Sequence, residues 1–209
     1  SNSSILSLAQ DADGYIWAVS CDGLNLWDGN SARNFRFSGN LIQEIVATDD
    51  GYLWVRTNYG VDRFDTRDRR IEMLAGFQRV YKFAARSRDE AFFLHGNKLY
   101  GYVASKGAFE PVDVRGAELT GVLRMCLDGD GALWLVRSGD IRCAQVAYDA
   151  DGRASVGEWE RMTMPDGVVF TRYDGDRTIF FTDRNGMLFR FDTEQRRAFP
   201  IFDLREELG

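Results

Sequence analysis

Residues Asp11-Ala12-Asp13-Gly14-Tyr15-Ile16-Trp17 join an acidic glycine turn to a short run that ends in a large aromatic residue. Related patterns return four more times along the chain, with an Asp four residues before the aromatic. The pairs are Asp13 and Trp17, Asp50 and Trp54, Asp89 and Phe93, Asp130 and Trp134, and Asp176 and Phe180. Successive aromatics lie 37, 39, 41 and 46 residues apart. This period is typical of β-propeller blades, which repeat every ~40–50 residues.

Each copy has the pattern of a four-stranded antiparallel meander. A mostly apolar run such as residues 5–10 precedes the acidic turn, which favours a hairpin because Gly adopts φ > 0 without strain. A second glycine turn follows the aromatic, as at Asp22-Gly23 and Asn185-Gly186. The third strand alternates in polarity, and the polar fourth strand is typical of a water-facing edge. Sustained helical periodicity is absent from the sequence.

The sequence therefore predicts an all-β fold, a β-propeller of five four-stranded antiparallel blades. One such sheet cannot cover both of its apolar faces, so the blades must pack against one another. The pattern leaves open whether the five blades close on themselves or form part of a larger propeller. The predicted blades are 5–40, 41–78, 79–118, 119–165 and 166–204, with a leader or cloning remnant at 1–4 and a tail at 205–209.

The composition of the chain disfavours two kinds of partner, nucleic acids and the membrane interior. The chain of 209 residues has a net charge of −6, which disfavours nucleic acid because a polyanion is repelled on average. Apolar runs are shorter than the ~18 residues that a membrane helix needs, so we expect no membrane insertion by this segment. The cysteines Cys21, Cys126 and Cys143 lack a CxxC spacing and are predicted to be free structural thiols.

Catalytic and metal chemistry find little support. His95 is the only histidine, so any Ser-His-Asp arrangement would have to use it, and a zinc site would need other ligands. The acidic turns at 11–14 and 128–131 lack the ligand spacing of a calcium loop and are interpreted as hairpin turns. We therefore predict no catalytic residue, no metal and no cofactor.

Ligand contacts are expected on one rim of the propeller and along its axis. The turns between second and third strands share this rim with the connections between blades, and the first strands line the axis. Charged side chains on inner strands are costly unless they are solvated or paired. Tyr59 beside Asn58 would suit a sugar, since it joins a stacking face to an amide. The predicted ligand residues are Asn58, Tyr59, His95, Asn97 and Arg184 on turns, and Arg124 and Arg172 on inner strands.

The first unit, with Asp13-Gly14-Tyr15-Ile16-Trp17 followed by Gly23-Leu24 and Trp27-Asp28, resembles the two-component regulator propeller repeat. Residues 49–65 resemble it equally, whereas the third unit departs with Glu90 and Phe93. The resemblance implies a periplasmic or extracytoplasmic sensor, part of a membrane-anchored histidine-kinase receptor of the hybrid two-component type. It also implies an oligosaccharide ligand and contacts with other sensor domains of the same receptor.

Three functions remain as hypotheses. The repeat type favours a non-catalytic sensor propeller that responds to a carbohydrate. A protein-interaction or dimerisation scaffold, including a homodimer, is the alternative and would show a contiguous exposed apolar patch. A propeller lyase or glycosidase would need convergent acids or a histidine and metal cluster, which a single histidine makes unfavourable.

Overall fold

The structure confirms the all-β prediction. The computed structural model describes residues 4–35, 41–75, 77, 79–165, 167–173 and 177–205. Asp176, the acidic residue of the fifth repeat, lies outside this part, as do residues 1–3 of the expected leader and 206–209 of the tail. Two compact units are present: unit 1 contains residues 1–111 and 150–153, and unit 2 contains 112–149 and 154–209.

Unit 1 contains three four-stranded antiparallel blades. In each blade the strands lie side by side in chain order. Blade 1 comprises β1 Ser7–Gln10, β2 Ile16–Ser20, β3 Gly23–Trp27 and β4 Ala32–Phe35. Blade 2 comprises β5 Ile42–Ala47, β6 Tyr52–Thr57, β7 Val61–Asp65 and β8 Arg70–Ala75. Blade 3 comprises β9 Val80–Ser87, β10 Glu90–His95, β11 Lys98–Val103 and β12 Ala108–Pro111, with a 3-10 turn at Ala104–Lys106.

Unit 2 contains the other two blades. Blade 4 comprises β14 Arg124–Leu127, β15 Ala132–Val136, β16 Asp140–Tyr148 and β18 Glu160–Thr163. Blade 5 comprises β19 Phe170–Tyr173, β20 Thr178–Thr182, β21 Met187–Asp192 and β22 Arg197–Asp203. Blade 4 also carries an extension, because the far half of β16 pairs with β17 Ala154–Val156, which pairs in parallel with β13 Asp113–Val114. This inserted hairpin accounts for the longest spacing in the repeat.

The three repeated tryptophans occupy matching places, as the repeat predicts. Each lies on the second strand of its blade, opposite a first-strand residue eight positions earlier. The pairs are Ala9 with Trp17, Val46 with Trp54, and Cys126 with Trp134. None of the three indoles is more than 2% exposed.

Apolar side chains join neighbouring blades within each unit. Trp17 and Leu24 of blade 1 pack with Leu53, Val55 and Phe64 of blade 2. On its other face blade 2 presents Trp54, which lies in one cluster with side chains of blade 3. In unit 2, Trp134 of blade 4 shares a cluster with Ile179 and Phe181 of blade 5. The face-to-face packing expected of propeller blades is thus present in both units.

In blade 3 the repeated aromatic is displaced by one residue from its predicted place. Phe92, not Phe93, pairs with the first-strand residue eight positions earlier, Ala84. The hairpin before it has only Arg88 and Asp89 between its paired ends, and a register shift follows at Glu90/Ala91. Phe93 instead shares the cluster that contains Trp54. The prediction of Phe93 at the place of the tryptophans is therefore wrong by one residue, and Phe92 takes that place.

Blade 5 keeps the predicted register but not the full burial. Phe180 pairs with Arg172, eight positions earlier, as the tryptophans do with their own partners. Its neighbours Ile179 and Phe181 face blade 4 and are completely buried. Phe180 points to the opposite face, because successive residues of a strand alternate sides, and it is half-buried.

Candidate functional site

Asn58 and Tyr59 occupy the turn between β6 and β7, as predicted, but they have different roles. The backbone N–H of Leu41 donates to Asn58 Oδ1 at 2.9 Å, and Asn58 N–H donates to the Leu41 carbonyl at 3.1 Å. Asn58 therefore fastens the chain entering blade 2 to this turn. Tyr59 is 50% exposed, so its ring is available for stacking on a ligand.

His95 and Asn97 lie at the corresponding turn of blade 3. Asn97 is exposed, whereas His95 is half-buried and lies edge-on to Phe77, with ring centroids 5.5 Å apart. The His95 Nδ1 atom is buried and has no hydrogen-bond partner among the described residues. The ring centroid of Phe77 also lies 4.9 Å from that of Tyr100, so His95 belongs to a group of aromatic side chains at this end of the blade.

The three predicted arginines all lie in unit 2. Arg124 opens β14, and its Nη2 donates to the carbonyl of Thr171 in blade 5 at 3.3 Å. Arg172 follows Thr171 on β19 and is half-buried. Arg184 lies exposed in the turn between β20 and β21, where its side chain packs over Gly167. These residues lie in the strands and turn where the sequence placed them, and their ligand role stays a prediction.

Two carboxylates that organise the acidic turns were not among the predicted residues. Asp11 Oδ1 accepts the N–H groups of Asp13 at 3.1 Å and Tyr15 at 2.9 Å, while Oδ2 accepts the indole N–H of Trp17 at 2.6 Å. Asp128 makes the same three contacts in blade 4, to Asp130, Ala132 and Trp134. The sequence contained a usable signal, since both carboxylates stand six residues before the Trp.

Blade 2 changes this arrangement because Thr48 stands in place of the carboxylate. The Thr48 hydroxyl donates to Asp50 Oδ1 at 2.5 Å. The indole N–H of Trp54 donates instead to the carbonyl of Ser87 in blade 3, at 2.8 Å. Asp50 Oδ2 accepts the N–H of Arg88 at 2.6 Å. The turn of blade 2 is thereby hydrogen-bonded to blade 3.

Arg63 makes a second polar connection between blades 2 and 3. Its side chain is 3% exposed, and it donates to Glu72 Oε2 and to the Arg88 carbonyl, both at 2.6 Å. Its guanidinium carbon lies 5.2–5.5 Å from three aromatic centroids, those of Tyr52, Trp54 and Tyr102. This arginine is a structural residue, although a buried charge could be mistaken for a ligand contact.

Blade 4 carries an ion cluster around one buried carboxylate. Asp140, whose side chain is 7% exposed, opens β16 directly after the turn from β15. Its Oδ2 lies 3.1 Å from Arg142 Nη2 and 2.7 Å from Arg161 Nε. Its Oδ1 lies 3.8 Å from Arg137 Nε. We call Arg137, Arg142 and Arg161 with Asp140 the arginine cluster.

The described residues do not form a candidate metal site. The described part of the chain contains no group of three or more His, Cys, Asp or Glu residues able to hold a metal ion. No disulfide joins the three cysteines, all of which the structure describes; Cys21 is exposed, whereas Cys126 and Cys143 are buried. Burial raises the pKa of the Cys143 thiol. Within the same residues, no helix has the length and apolar character needed to cross a membrane.

Comparison with solved structures places the fold among known propellers. The chain is similar to the extracellular domain of the putative hybrid two component system BT4673 from B. thetaiotaomicron, with 20% identity and a TM-score of 0.62. The match covers 95% of this chain and 28% of that one. The chain thus spans little more than a quarter of that protein's length.

Two other similar structures have different functions. PorZ, a bacterial surface component of the type-IX secretion system of Porphyromonas gingivalis, is 14% identical with a TM-score of 0.68, covering 96% of this chain and 27% of PorZ. A catalytically inactive virginiamycin B lyase from Staphylococcus aureus, bound to quinupristin, is 13% identical with a TM-score of 0.62, covering 96% and 70%. No protein-family profile and no curated protein match the chain. At these identities the likeness establishes the fold alone, which an extracellular domain of a two component system, a secretion-system component and a lyase share.

Proposed function

We propose that this chain is a non-catalytic sensor propeller from the extracytoplasmic part of a membrane-anchored two-component receptor, and that its ligand is a carbohydrate. The observation that carries the proposal is the repeat itself, with its acidic turn and buried Trp at matching places in blades 1, 2 and 4. The likeness to the BT4673 extracellular domain supports it at the level of the fold.

Tyr59 is the residue best suited to a sugar within the proposed site. Half of its surface is exposed, and it belongs to a turn that Asn58 holds against Leu41. A rigidly held aromatic ring provides apolar contact area at a low entropic cost. Tyr15 offers a matched comparison, because it is 42% exposed but follows an acidic turn at the opposite end of its blade.

The proposal is tested by thermal unfolding with a panel of neutral and acidic oligosaccharides. A ligand that binds only the folded state increases the free energy of unfolding by RT ln(1 + [L]/Kd) and therefore raises the Tm. We expect one class of oligosaccharide to raise the Tm, Tyr59→Ala to reduce the rise, and Tyr15→Ala to keep it. If no oligosaccharide changes the Tm, the carbohydrate sensor is wrong.

A dimerisation scaffold is the second candidate, and one feature of β8 favours it. Met73 is 79% exposed and Ile71 is 42% exposed on this outer strand of blade 2. Exposed apolar side chains on an edge strand are suited to contact with another protein. Sedimentation of the chain with and without Met73→Glu separates the two candidates, because the scaffold predicts a dimer that this substitution dissociates.

A further inference from the structure

The arginine cluster has more positive charge than its acidic partner can balance. Three guanidinium groups surround Asp140, and the described residues provide no other carboxylate within ion-pair distance of any of them. Four formal charges therefore leave the cluster at about +2, in a chain whose net charge is −6. A purely structural pair would need one arginine for this carboxylate, so the surplus requires another explanation.

Asp140 fixes the arginines without using all of their donors. Arg142 directs Nε and Nη2 to Asp140 Oδ2, at 3.3 and 3.1 Å. Arg161 approaches the same oxygen through Nε, and its side chain remains 67% exposed. A guanidinium has five N–H donors, so the Nη groups of Arg161 remain available to a ligand.

Strand pairing sets the geometry of the cluster. Arg142 and Arg161 lie directly opposite each other on β16 and β18, and Asp140 is two residues from Arg142 on the same face of the sheet. Arg137 directly follows β15, and its Nη1 donates to the Glu118 carbonyl at 3.4 Å. A guanidinium group that a partner already holds in place loses less further freedom when it binds a ligand.

We propose that Arg137, Arg142 and Arg161 bind an oxyanion, the carboxylate or sulfate group of an acidic ligand, and that Asp140 is the residue that positions them. Planar guanidinium groups suit such anions because their N–H groups match two oxygens at once. The bound anion would also reduce the repulsion among the three cations. The inference goes beyond the proposed function, because it concerns an anion and requires no sugar.

The test uses the whole chain and two probes, sodium sulfate and sodium D-glucuronate, titrated calorimetrically at constant ionic strength. We expect saturable binding of at least one probe, with D-glucose giving none. Tighter binding of glucuronate would indicate a sugar acid, and tighter binding of sulfate a sulfate ester. Arg161→Gln should weaken binding by about tenfold or more, because it removes a charge-assisted contact. Because the Arg161 side chain is exposed, this variant should keep its fold, and a thermal melt checks this.

Arg177→Gln is the matched control, since Arg177 is 62% exposed, pairs with Glu194 and lies in blade 5. It should bind both probes as the unmodified chain does. Equal affinity in the Arg161→Gln chain, or no saturable binding of either probe, would overturn the proposal. If a neutral oligosaccharide binds the Arg161→Gln chain as it binds the unmodified chain, while sulfate and glucuronate do not bind, the oxyanion site is wrong and the sensor function stands. The two proposals are therefore tested separately.

Discussion

The indole Nε1 of Trp134 donates a hydrogen bond of 2.7 Å to Oδ2 of Asp128, six residues earlier in the chain. The same bond joins Trp17 to Asp11 at 2.6 Å. In both blades a single carboxylate closes the hairpin through its other oxygen and fixes the ring that packs against the next blade. Local turn chemistry and packing between blades are thus linked by one side chain.

Asp128→Ala should strongly destabilise the protein. The substitution leaves the N–H groups of Asp130, Ala132 and Trp134 without their acceptor. Unsatisfied buried donors cost about 1–3 kcal/mol each, and turn donors that reach water cost less, so we expect a loss of about 2–4 kcal/mol. Urea denaturation measures this as a lower midpoint.

Asp130→Ala is the control for that experiment, because Asp130 is exposed and stands in the same turn. Its backbone N–H, which the substitution keeps, makes the bond to Asp128. We expect a change within about 0.5 kcal/mol. If both variants lose the same stability, the bond to Trp134 is not the reason.

Replacing Arg63 by Met should weaken the packing of blade 2 on blade 3. The change removes the bond to the Arg88 carbonyl and the contacts with three aromatic rings, among them Tyr102. A loss of about 2–4 kcal/mol is expected, since the guanidinium is buried and its partners belong to both blades. Chemical denaturation gives the value.

Glu72→Gln tests whether the ion pair alone explains the Arg63 effect. The Glu72 side chain is 53% exposed, so water screens its charge. The cost of this variant should stay below about 1 kcal/mol. A Glu72→Gln variant as unstable as Arg63→Met would show that the carboxylate, and not the aromatic and backbone contacts, holds Arg63.

The three cysteines should differ in their reaction with a thiol reagent. Cys21 is exposed, whereas Cys126 and Cys143 are buried, and burial raises the pKa of the Cys143 thiol. Because the thiolate is the reactive form, one thiol per native chain should react quickly with Ellman's reagent and all three after unfolding in guanidinium. Cys21→Ser should abolish the fast phase, and a remaining fast thiol would contradict the burial.

The repeat could be predicted from the sequence because the hairpin turn and the packed core both constrain the same short segment, from the acidic turn to the aromatic residue. A hairpin needs residues that tolerate its backbone angles, and the packed face needs a bulky ring at a fixed distance from that turn. The prediction was wrong by one residue in blade 3. There the hairpin around Asp89 is shorter and a register shift follows it, so Phe92 takes the place that the tryptophans have in other blades. Spacing alone does not reveal such compensation.

The arginine cluster could not be predicted from the sequence, because no short motif contains its residues. Arg161 reaches Asp140 only because β18 pairs with β16 across an inserted hairpin. The spacing of 46 residues is the longest in the repeat, but it does not show which residues meet. Long-range strand pairing, and not residue type, decides which charges share a site.

The pH dependence of stability should contain a contribution from Asp62 on β7. Burial raises the pKa of this carboxyl from 3.8 to about 6, and the N–H of Leu74 opposes the rise. A raised pKa means that the contribution of Asp62 to stability is fully present below pH 3.8 and is lost as the pH rises through about 6. At pH 7.5 the ionised carboxylate should therefore cost about 1–3 kcal/mol.

Asp62→Asn removes this ionisation and keeps an acceptor oxygen for Leu74. Its free energy of unfolding should exceed that of the unmodified chain at pH 7.5, and the difference should disappear near pH 4. Asp65→Asn, on the same strand, should instead lower the free energy of unfolding at pH 7.5. The N–H of Asp68 lowers the pKa of Asp65, and the neutral amide lacks the carboxylate charge that this N–H stabilises. Its deficit should shrink as the pH falls below 3.8. Guanidinium denaturation at a series of pH values measures both variants, and an Asp62→Asn curve parallel to that of the unmodified chain would mean that Asp62 is already solvated.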